Sequence, residues 1–479
     1  MNDDRPDNDR PLRRIDESTP LVNPAGPPKD RFWATYWILY IFGIVSLLPW
    51  YTFPVADQYF RLQLYSEKYL AKHIVNYIAI ASQVPAALIL FLNTYIIEKV
   101  SEKTRILASL AVIFLMFGFN VVLAWVDVDD WQLTFFILTI ISVVIINSAS
   151  CIFQGGVFAL ASRFPIAYRQ SVVSGQGFGG LLAAGSNVLS LLGAGGVGHL
   201  NKTDLQRSAI AYFLTSVIMT SITAAGFLTL EKLEFANYFP TRVLQRRLRR
   251  KSWRAFMSDM RRILKKMGAM ALSTFLVFLV SLSLFPGLVA RIHSVQEGPS
   301  TCNLTTNTST DGNMPFEDGD VTSYENVTLA SDIDKAWVCS YFQPITCFLL
   351  FQIMNFIGRT LPGRVRFPSH RFLLVPIMAR LTLPGLYVFC KYSVHHRPIF
   401  NSDIAPIVLV IVLGFTNGYC NSLAFMYAPT LVGDDDMETA GAIMAASEGI
   451  SSLLGVLFCL LLTDIYTGAV QDRMPLIMN

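Results

Sequence analysis

Charged residues are scarce in this chain, because Asp, Glu, Lys and Arg together make up 15% of its 479 residues. A soluble globular protein carries about 25%, and large apolar patches exposed to water lead to aggregation. Hydrophobic residues, by contrast, make up 53% of the chain. This composition excludes an ordinary soluble domain and indicates that most of the chain lies in a lipid bilayer.

Histidine and cysteine are also few, with six and seven residues that are scattered along the chain. The sequence has no His/Cys spacing typical of a metal site, no phosphate-binding loop and no Ser/His/Asp arrangement. It therefore predicts that the protein is not an enzyme and needs no metal and no cofactor.

One Gly-rich motif satisfies the dinucleotide-binding pattern, since residues 175–180 read Gly-Gln-Gly-Phe-Gly-Gly. It lies in an apolar segment, without the preceding β-strand and the later acidic residue that a dinucleotide site requires. Gly175 and Gly179 instead form a small-xxx-small pattern, on which two membrane helices approach closely. The motif predicts helix packing.

Long apolar runs fill most of the chain. The hydrocarbon core of a bilayer is about 30 Å thick, so a helix needs about 20 mostly apolar residues to cross it. Eleven segments meet this requirement, and we number them spans one to eleven: 33–53, 74–97, 105–126, 133–161, 171–194, 208–230, 267–290, 340–361, 372–392, 404–427 and 440–463. The sequence predicts an all-α polytopic membrane protein with eleven transmembrane helices in a 6+5 arrangement.

The distribution of charge predicts the topology. Residues 231–266 contain twelve Lys or Arg against three acids, and such a loop lies in the cytoplasm. The predicted parts are a disordered cytoplasmic tail 1–32, a bundle 33–230, the basic loop 231–266, a second bundle 267–463 and a short non-cytoplasmic tail 464–479. Because the basic loop adjoins the membrane, we expect it to contact lipid and not nucleic acid. No obligate protein partner is evident.

The segment 291–339 falls on the opposite side and is acidic, with eight acids and two basic residues. N-glycosylation sequons, which are modified only in the secretory pathway, stand at Asn201, Asn303, Asn307 and Asn326. Cys302 and Cys339 bracket the acidic segment, where they form either a disulfide or two free thiols. We expect this loop to be non-cytoplasmic and glycosylated.

Residues 17–22 of the tail approximate an acidic dileucine sorting signal, but Val22 stands where Leu or Ile is required. The plasma membrane is therefore the expected location, and an endolysosomal membrane is the alternative.

Polar side chains inside the spans are the candidate functional groups, because a polar group in hydrocarbon is costly and usually faces a partner or a water-filled cavity. They include Trp50, which stands beside a kink expected at Pro49, Gln83, Gln154, Gln352, Asn355, Arg359, Arg380 and Glu448. Amides donate and accept hydrogen bonds, so beside aromatic rings they suit a neutral heterocycle with hydroxyls. For any single amide, a hydrogen bond between helices is the alternative role.

A series of short motifs resembles the equilibrative nucleoside transporters. The motifs are Gly43 with Leu47-Leu48-Pro49-Trp50 and Tyr59-Phe60, Asn147-Ser148 before Gln154-Gly155, Ser174-Gly175-Gln176-Gly177, Leu233-Glu234-Phe235, Phe285-Pro286, Gly358-Arg359, Thr416-Asn417-Gly418-Tyr419 with Pro429, and Glu438-Thr439-Ala440-Gly441-Ala442-Ile443-Met444. Together they run from Arg31 to about Leu462. The chain is identified by this resemblance as a divergent member of the family.

The resemblance implies a fold related to the major facilitator superfamily, with two helical halves that rock around a site near the membrane midplane. It also implies roles for individual side chains: Leu47 and Trp50 line the cavity and stack on the substrate, Gln154 binds the nucleobase, Phe285 and Phe348 form aromatic walls, and Asn355 with Arg359 binds the ribose.

Two positions depart from the family pattern. Tyr51 replaces the usual Asn, and Asn355 replaces the Asp that usually stands four residues before Arg359. Glu448 adds a carboxylate where the family is apolar. Because an unpaired buried charge costs several kcal/mol, we expect Glu448 to be a counter-charge for Arg359 or, as a second choice, for Arg380. The alternative is that Glu448 faces a vestibule and pairs with nothing.

The sequence predicts a facilitative transporter of nucleosides, and also of nucleobases as an extension, working by alternating access. One alternative of the same fold is a pH-sensitive carrier of organic cations or monoamines, which Glu448 favours. The other is a membrane receptor or scaffold without transport activity, which the departures at Tyr51 and Asn355 favour.

Overall fold

The computed structural model describes residues 28–96, 100–193, 202–239, 253–295, 338, 341–392, 400, 402–433 and 436–466. Regular structure within these ranges is helical throughout. Several sequence predictions lie outside the described residues: the tail up to residue 27, the tail from residue 467, the four sequons, and the pair Cys302 and Cys339.

The helices of the N-terminal half are Ala34–Ser46, Leu48–Val55, Asp57–Gln63, Lys68–Ile96, Glu102–Trp125, Gln132–Ser162, Ile166–Gly193, Lys202–Leu230 and Glu234–Tyr238. The helices of the C-terminal half are Trp253–Leu284, a π-helical turn Gln343–Leu349 that continues into Leu350–Thr360, then Leu374–Ala379, Leu383–Tyr387, Ile404–Tyr427 and Met437–Tyr466. Span seven therefore begins at Trp253, inside the segment predicted to be the basic loop.

Eight of the described helices are long and apolar enough to cross a bilayer, and the bent pair that forms span one makes up to nine. Span five is one long helix, Ile166–Gly193, but its many Gly, Ser and Gln residues make it less apolar. Span nine is a shorter apolar segment, Leu374–Tyr387. The all-helical membrane fold is confirmed, whereas the predicted number of eleven spans is not.

Proline explains the two interrupted spans. Span one bends by 45° between Ser46 and Leu48, because Pro49 at the start of the second helix has no N–H to continue the hydrogen-bond ladder. The predicted kink at Pro49 is confirmed. In span nine, Pro376 and Pro384 lie within or beside short helices that are joined by the 3₁₀ turn Arg380–Thr382.

The outer surface of the bundle is apolar. Leu115 and Val122 on span three, Leu133 on span four, Ile218 on span six and Leu461 on span eleven all point outward and are exposed. Such a surface would be an aggregation liability in water, and lipid tails cover it in a bilayer. The protein is an integral, multi-pass membrane protein.

The two halves meet along two seams. Span eleven packs against spans two and four, and span five packs against spans eight and ten. Within the halves, span one lies on span five, span eight on span ten, and span seven on span eleven. The two seams leave space between the halves, which is where the cavities lie.

Glycines allow the closest helix contacts. A Cβ on Gly175 would lie 2.0 Å from the Tyr40 carbonyl oxygen, and one on Gly179 would lie 3.3 Å from that of Ile44. The packing role predicted for this motif is confirmed. In the C-terminal half, a Cβ on Gly418 would lie 2.2 Å from the Asn355 carbonyl oxygen, so spans eight and ten touch through their backbones.

Candidate functional site

Two adjoining cavities lie between the halves. The inner one, which we call the chamber, measures about 90 Å³ and is lined by spans one, two, four, seven, eight, ten and eleven. The outer one, which we call the vestibule, measures about 770 Å³. Trp50, Tyr51, Phe285 and Gln352 line both cavities, so these four side chains form the neck between them.

The vestibule lies at the span ends that the charge distribution predicts to be non-cytoplasmic. Its wall includes Asp57, Arg61, His73, Arg291 and His293. Arg61 Nε donates to Asp57 Oδ2 at 2.9 Å, and burial raises the pKa of the Asp57 carboxyl while the Arg61 charge opposes this rise. Among the described residues, the vestibule therefore carries charged groups that the wall of the chamber has at only two positions.

Most side chains predicted as site residues come together here. Nine of them line the chamber: Leu47, Trp50, Gln83, Gln154, Phe285, Gln352, Asn355, Arg359 and Glu448. Phe348 lies in the wall of the vestibule. Arg380 lines neither cavity.

Arg359 is buried, with 2% of its surface exposed. Its Nη1 donates to Gln176 Oε1 of span five at 2.7 Å, and its Nε donates to Asn355 Oδ1 at 3.4 Å. Gln176 is held in turn by a hydrogen bond from its Nε2 to Ser46 Oγ at 3.2 Å. Spans one, five and eight thus fix the guanidinium through a chain of neutral groups.

Asn355 connects Arg359 to the rest of the C-terminal half. Its Oδ1 also accepts a hydrogen bond from Asn417 Nδ2 at 2.9 Å, and its Nδ2 donates to Gln352 Oε1 at 3.4 Å. Asn417 Oδ1 accepts from Ser281 Oγ at 2.8 Å. The Asn355 amide therefore joins three side chains, those of Arg359, Asn417 and Gln352, in one hydrogen-bond network.

Arg380 belongs to the far end of the same network. Its Nη1 donates to Thr416 Oγ1 at 2.8 Å and its Nη2 to Ser281 Oγ at 2.5 Å. Among the described residues no carboxylate forms an ion pair with it. Its role is to anchor spans seven, nine and ten to one another.

Glu448 lies in the chamber wall, but not in contact with either arginine. No ion pair joins it to Arg359 or Arg380 in the part of the chain that the structure describes. It lies within electrostatic range of Arg359, and its side chain interacts with that of Gln154. Span eleven is held against span two, because a Cβ on Gly449 would lie 3.1 Å from the Ala86 carbonyl oxygen. Amide oxygens, and not the Glu448 carboxylate, take the place next to Arg359.

Aromatic rings continue from the wall of the chamber into the wall of the vestibule. Phe285 stacks on Phe351 with ring centroids 3.9 Å apart and an interplanar angle of 11°. Phe348 meets the edge of Phe285 at 5.5 Å. Aromatic pairs in such arrangements contribute about 0.5–1.5 kcal/mol beyond the area that they bury, so this wall is a rigid surface for a planar group.

Ionic contacts close the opposite end of the bundle, at the ends predicted to be cytoplasmic. Arg163, after span four, pairs with Glu102 of span three and, at 2.5 Å, with Glu438 of span eleven. Arg169 Nη1 also donates to the Met426 carbonyl oxygen at 3.3 Å. Two of these three contacts join the halves, so the halves are held together at this end, whereas the vestibule separates them at the other end.

Gln176 and Phe351 are among the side chains of the site that were not predicted from the sequence as site residues. Gln176 lies inside the Gly-rich motif, which the sequence analysis interprets as a packing surface formed by its glycines. Its polar amide within an apolar span is the signal that identifies it as a candidate site residue. Phe351 has no such signal, because one Phe among many in apolar spans does not show which face it occupies.

Comparison with known proteins assigns the family. Residues 140–303 and 320–462, more than half of the chain, match the family model described as Nucleoside transporter. The chain belongs to the nucleoside transporter family. It is 26% identical to the rat Equilibrative nucleoside transporter 3, over 89% of this chain and 88% of that protein. It is 27% identical to the human Equilibrative nucleoside transporter 1, over 91% of this chain and 98% of that protein.

The fold of this nucleoside transporter family member is that of the major facilitator superfamily. The superfamily's proton:xylose symporter XylE superposes with a TM-score of 0.55 over 90% of this chain and 88% of that chain, at 10% identity. This likeness confirms the prediction that the fold is related to that of the major facilitator superfamily. Both the family and the fold are those of transporters and not of enzymes.

Proposed function

We propose that the protein carries nucleosides down their concentration gradient by alternating access. The observation that carries this proposal is the position of the chamber between the two halves, with Gln154 on one half and Asn355 and Arg359 on the other. A substrate held by both halves makes different contacts when the halves rock, which is what a carrier of this fold requires.

The groups around the chamber suit the two parts of a nucleoside. Trp50 and Phe285 offer apolar rings for a planar base, and Gln154 offers an amide for its polar edge. Arg359, Asn355 and Gln352 offer donors and acceptors for ribose hydroxyls, each of which both donates and accepts. Replacing hydration by such matched hydrogen bonds avoids the cost of about 1–3 kcal/mol for each polar group buried without a partner.

The open vestibule and the closed opposite end correspond to an outward-open state in the predicted topology. In the alternate state the contacts of Arg163 with Glu438 and of Arg169 with the Met426 carbonyl separate, and the neck at Trp50 and Phe285 narrows. No part of the described chain resembles an energy-coupling domain, and the gradient of the nucleoside itself drives net transport.

We place the protein in the plasma membrane, with loop 291–339 outside and glycosylated, and keep an endolysosomal membrane as the alternative. The acidic balance of that loop and its three sequons support this orientation. Nucleobases are a further substrate class for a chamber that binds the base through Gln154.

Uptake of labelled adenosine and uridine into vesicles that contain the purified protein tests the proposal. We expect saturable uptake of both, independent of an imposed pH gradient. Uptake equal to that of protein-free vesicles would support a receptor or scaffold. Uptake of an organic cation such as tyramine without uptake of either nucleoside would support the cation carrier instead.

A further inference from the structure

Glu448 Oε2 and Gln154 Nε2 are two buried polar atoms that form no hydrogen bond of good geometry within the described protein, and their side chains lie close enough to interact with each other. Both side chains are about 95% buried, with 5% and 4% of their surfaces exposed. An unpaired buried polar group is costly, and each such group in a native structure needs an explanation. Because both side chains line the chamber, one substrate group can bind to both of them.

Among the described residues no cation forms an ion pair with the Glu448 carboxylate, and its neutral neighbour is the Gln154 amide. Arg359 and Glu448 are the two charged side chains among the described residues that line the chamber, and Arg359 is engaged by Gln176 and Asn355. The other titratable groups that interact electrostatically with Glu448 are Tyr51 of span one and Cys151 of span four. Spans two and seven contribute no charged side chain to the chamber wall.

We propose that Glu448 and Gln154 together read the polar edge of the nucleobase and favour a base that shows one acceptor beside two adjacent N–H donors. This inference rests on the proposed nucleoside transport and adds its selectivity. A carboxylate accepts and cannot donate, whereas the Gln154 amide nitrogen donates and cannot accept. The complementary edge of the ligand therefore carries one acceptor, which pairs with Gln154 Nε2, beside two donors, which pair with the two oxygens of the Glu448 carboxylate.

Guanine presents this order of groups, because its O6 accepts and its N1–H and 2-amino group both donate. Hypoxanthine lacks the 2-amino donor. Uracil has one N–H between two carbonyl oxygens, so one of its oxygens would face the Glu448 carboxylate. A cationic amine would satisfy Glu448 but would leave Gln154 Nε2 unpaired, and for this reason the structure favours the guanine edge over an organic cation.

Glu448 is thus a specificity-determining residue for the proposed transport of nucleosides. Sites that hydrogen-bond a substrate group reject analogues that lack it, because the group in the site is then left unpaired. We expect the KM for guanosine to be about tenfold below that for uridine, with inosine between them because it keeps one donor of the pair.

Competition against labelled guanosine in proteoliposomes tests the inference, with unlabelled guanosine, inosine, uridine and tyramine as competitors. In Glu448→Gln, the guanosine preference over inosine should fall to about one, because the new amide offers a donor where the 2-amino group needs an acceptor. Glu67→Gln is the matched control, since Glu67 is an exposed carboxylate outside both cavities. It should keep the wild-type order.

The outcomes separate the inference from the proposed function. Equal inhibition by guanosine, inosine and uridine in the wild-type protein would overturn the inference while nucleoside transport stands, and this arm needs no folded variant. Inhibition by tyramine that disappears in Glu448→Gln, with unchanged guanosine affinity, would also overturn it. Absence of any nucleoside uptake in the wild-type protein would overturn the proposed function itself.

Discussion

Arg359 and Gln176 are joined by a hydrogen bond of 2.7 Å that crosses from the C-terminal to the N-terminal half beside the chamber. Gln170 of span five also donates to the Arg359 carbonyl oxygen. The buried arginine is therefore held by a neutral partner on the opposite half. Any rocking of the halves must change this contact, which connects substrate binding to conformation.

The first prediction concerns Gln176. Gln176→Ala leaves the buried Arg359 guanidinium with one side-chain partner fewer, so we expect a loss of about 1–3 kcal/mol, seen as a lower melting temperature in detergent and as weaker uptake. Gln206→Ala is the matched control, because Gln206 donates to the Ala124 carbonyl oxygen at 2.8 Å within one half. Its KM should stay at the wild-type value. A Gln176→Ala protein with unchanged melting temperature and KM would contradict the role given to this contact.

Gln154 is expected to bind the base. Gln154→Ala should weaken purine nucleoside uptake by about 1–3 kcal/mol in apparent binding, the usual cost of an unpaired polar group on the substrate. The measurement is the KM of a protein whose surface expression has been verified. Wild-type kinetics would show that Gln154 does not touch the substrate.

Variants of Asn355 and Glu448 test whether a carboxylate near Arg359 stabilises the protein. Glu448→Gln removes the carboxylate within electrostatic range of Arg359 and should lower stability or uptake. Asn355→Asp places a carboxylate on the oxygen position that Arg359 Nε already contacts at 3.4 Å, where charge-assisted hydrogen bonds are about twice as strong as neutral ones. The double variant should therefore melt at a higher temperature than Glu448→Gln alone. If it melts no higher at equal expression, the two positions do not compensate each other.

Arg163 is expected to hold the closed end of the bundle. Arg163→Ala removes the pair with Glu438 and should favour the inward-open state by roughly 1–2 kcal/mol, a five- to thirtyfold change in population. The readout is thiol labelling from the vestibule side of a cysteine introduced by Asn187→Cys, which should slow. Lys103→Ala is the control, because Lys103 pairs with Glu231 within the N-terminal half. Faster labelling in Arg163→Ala would reverse the assignment of the closed end.

Glycosylation tests the topology. Because loop 291–339 is predicted to be non-cytoplasmic, an N-glycosidase should increase the gel mobility of protein from a mammalian or insect host. Simultaneous replacement of Asn303, Asn307 and Asn326 by Gln should remove most of that shift. Protease protection of this loop on the cytoplasmic side would overturn the orientation.

Most spans were predictable from the sequence because about 20 apolar residues are needed to cross a bilayer regardless of tertiary context. Span nine was not predicted as it folds, because Pro376 and Pro384 limit helix length in a way that hydropathy does not register. The helix of span seven begins at Trp253, before the predicted start of the span at residue 267, because charged residues can continue a helix outside the hydrocarbon.

The residues of the chamber were predictable because a polar group in a span is costly unless it faces a cavity or a partner. The hydrogen-bond partner of each of these residues was not predictable. Gln176 and Glu448 are both polar side chains in spans, and only the packing of span five on span eight and of span eleven on span two decides that Arg359 contacts the first. Such choices depend on helix rotation, which a single sequence does not specify.

Counterflow is the measurement that tests the central claim most directly. Proteoliposomes preloaded with unlabelled uridine and diluted into labelled adenosine should show a transient accumulation of label above equilibrium, because one substrate-bound chamber alternates between the two sides. Gln154→Ala should reduce the peak in proportion to its raised KM. A time course that rises to equilibrium without an overshoot, or that matches protein-free liposomes, would contradict carriage by alternating access.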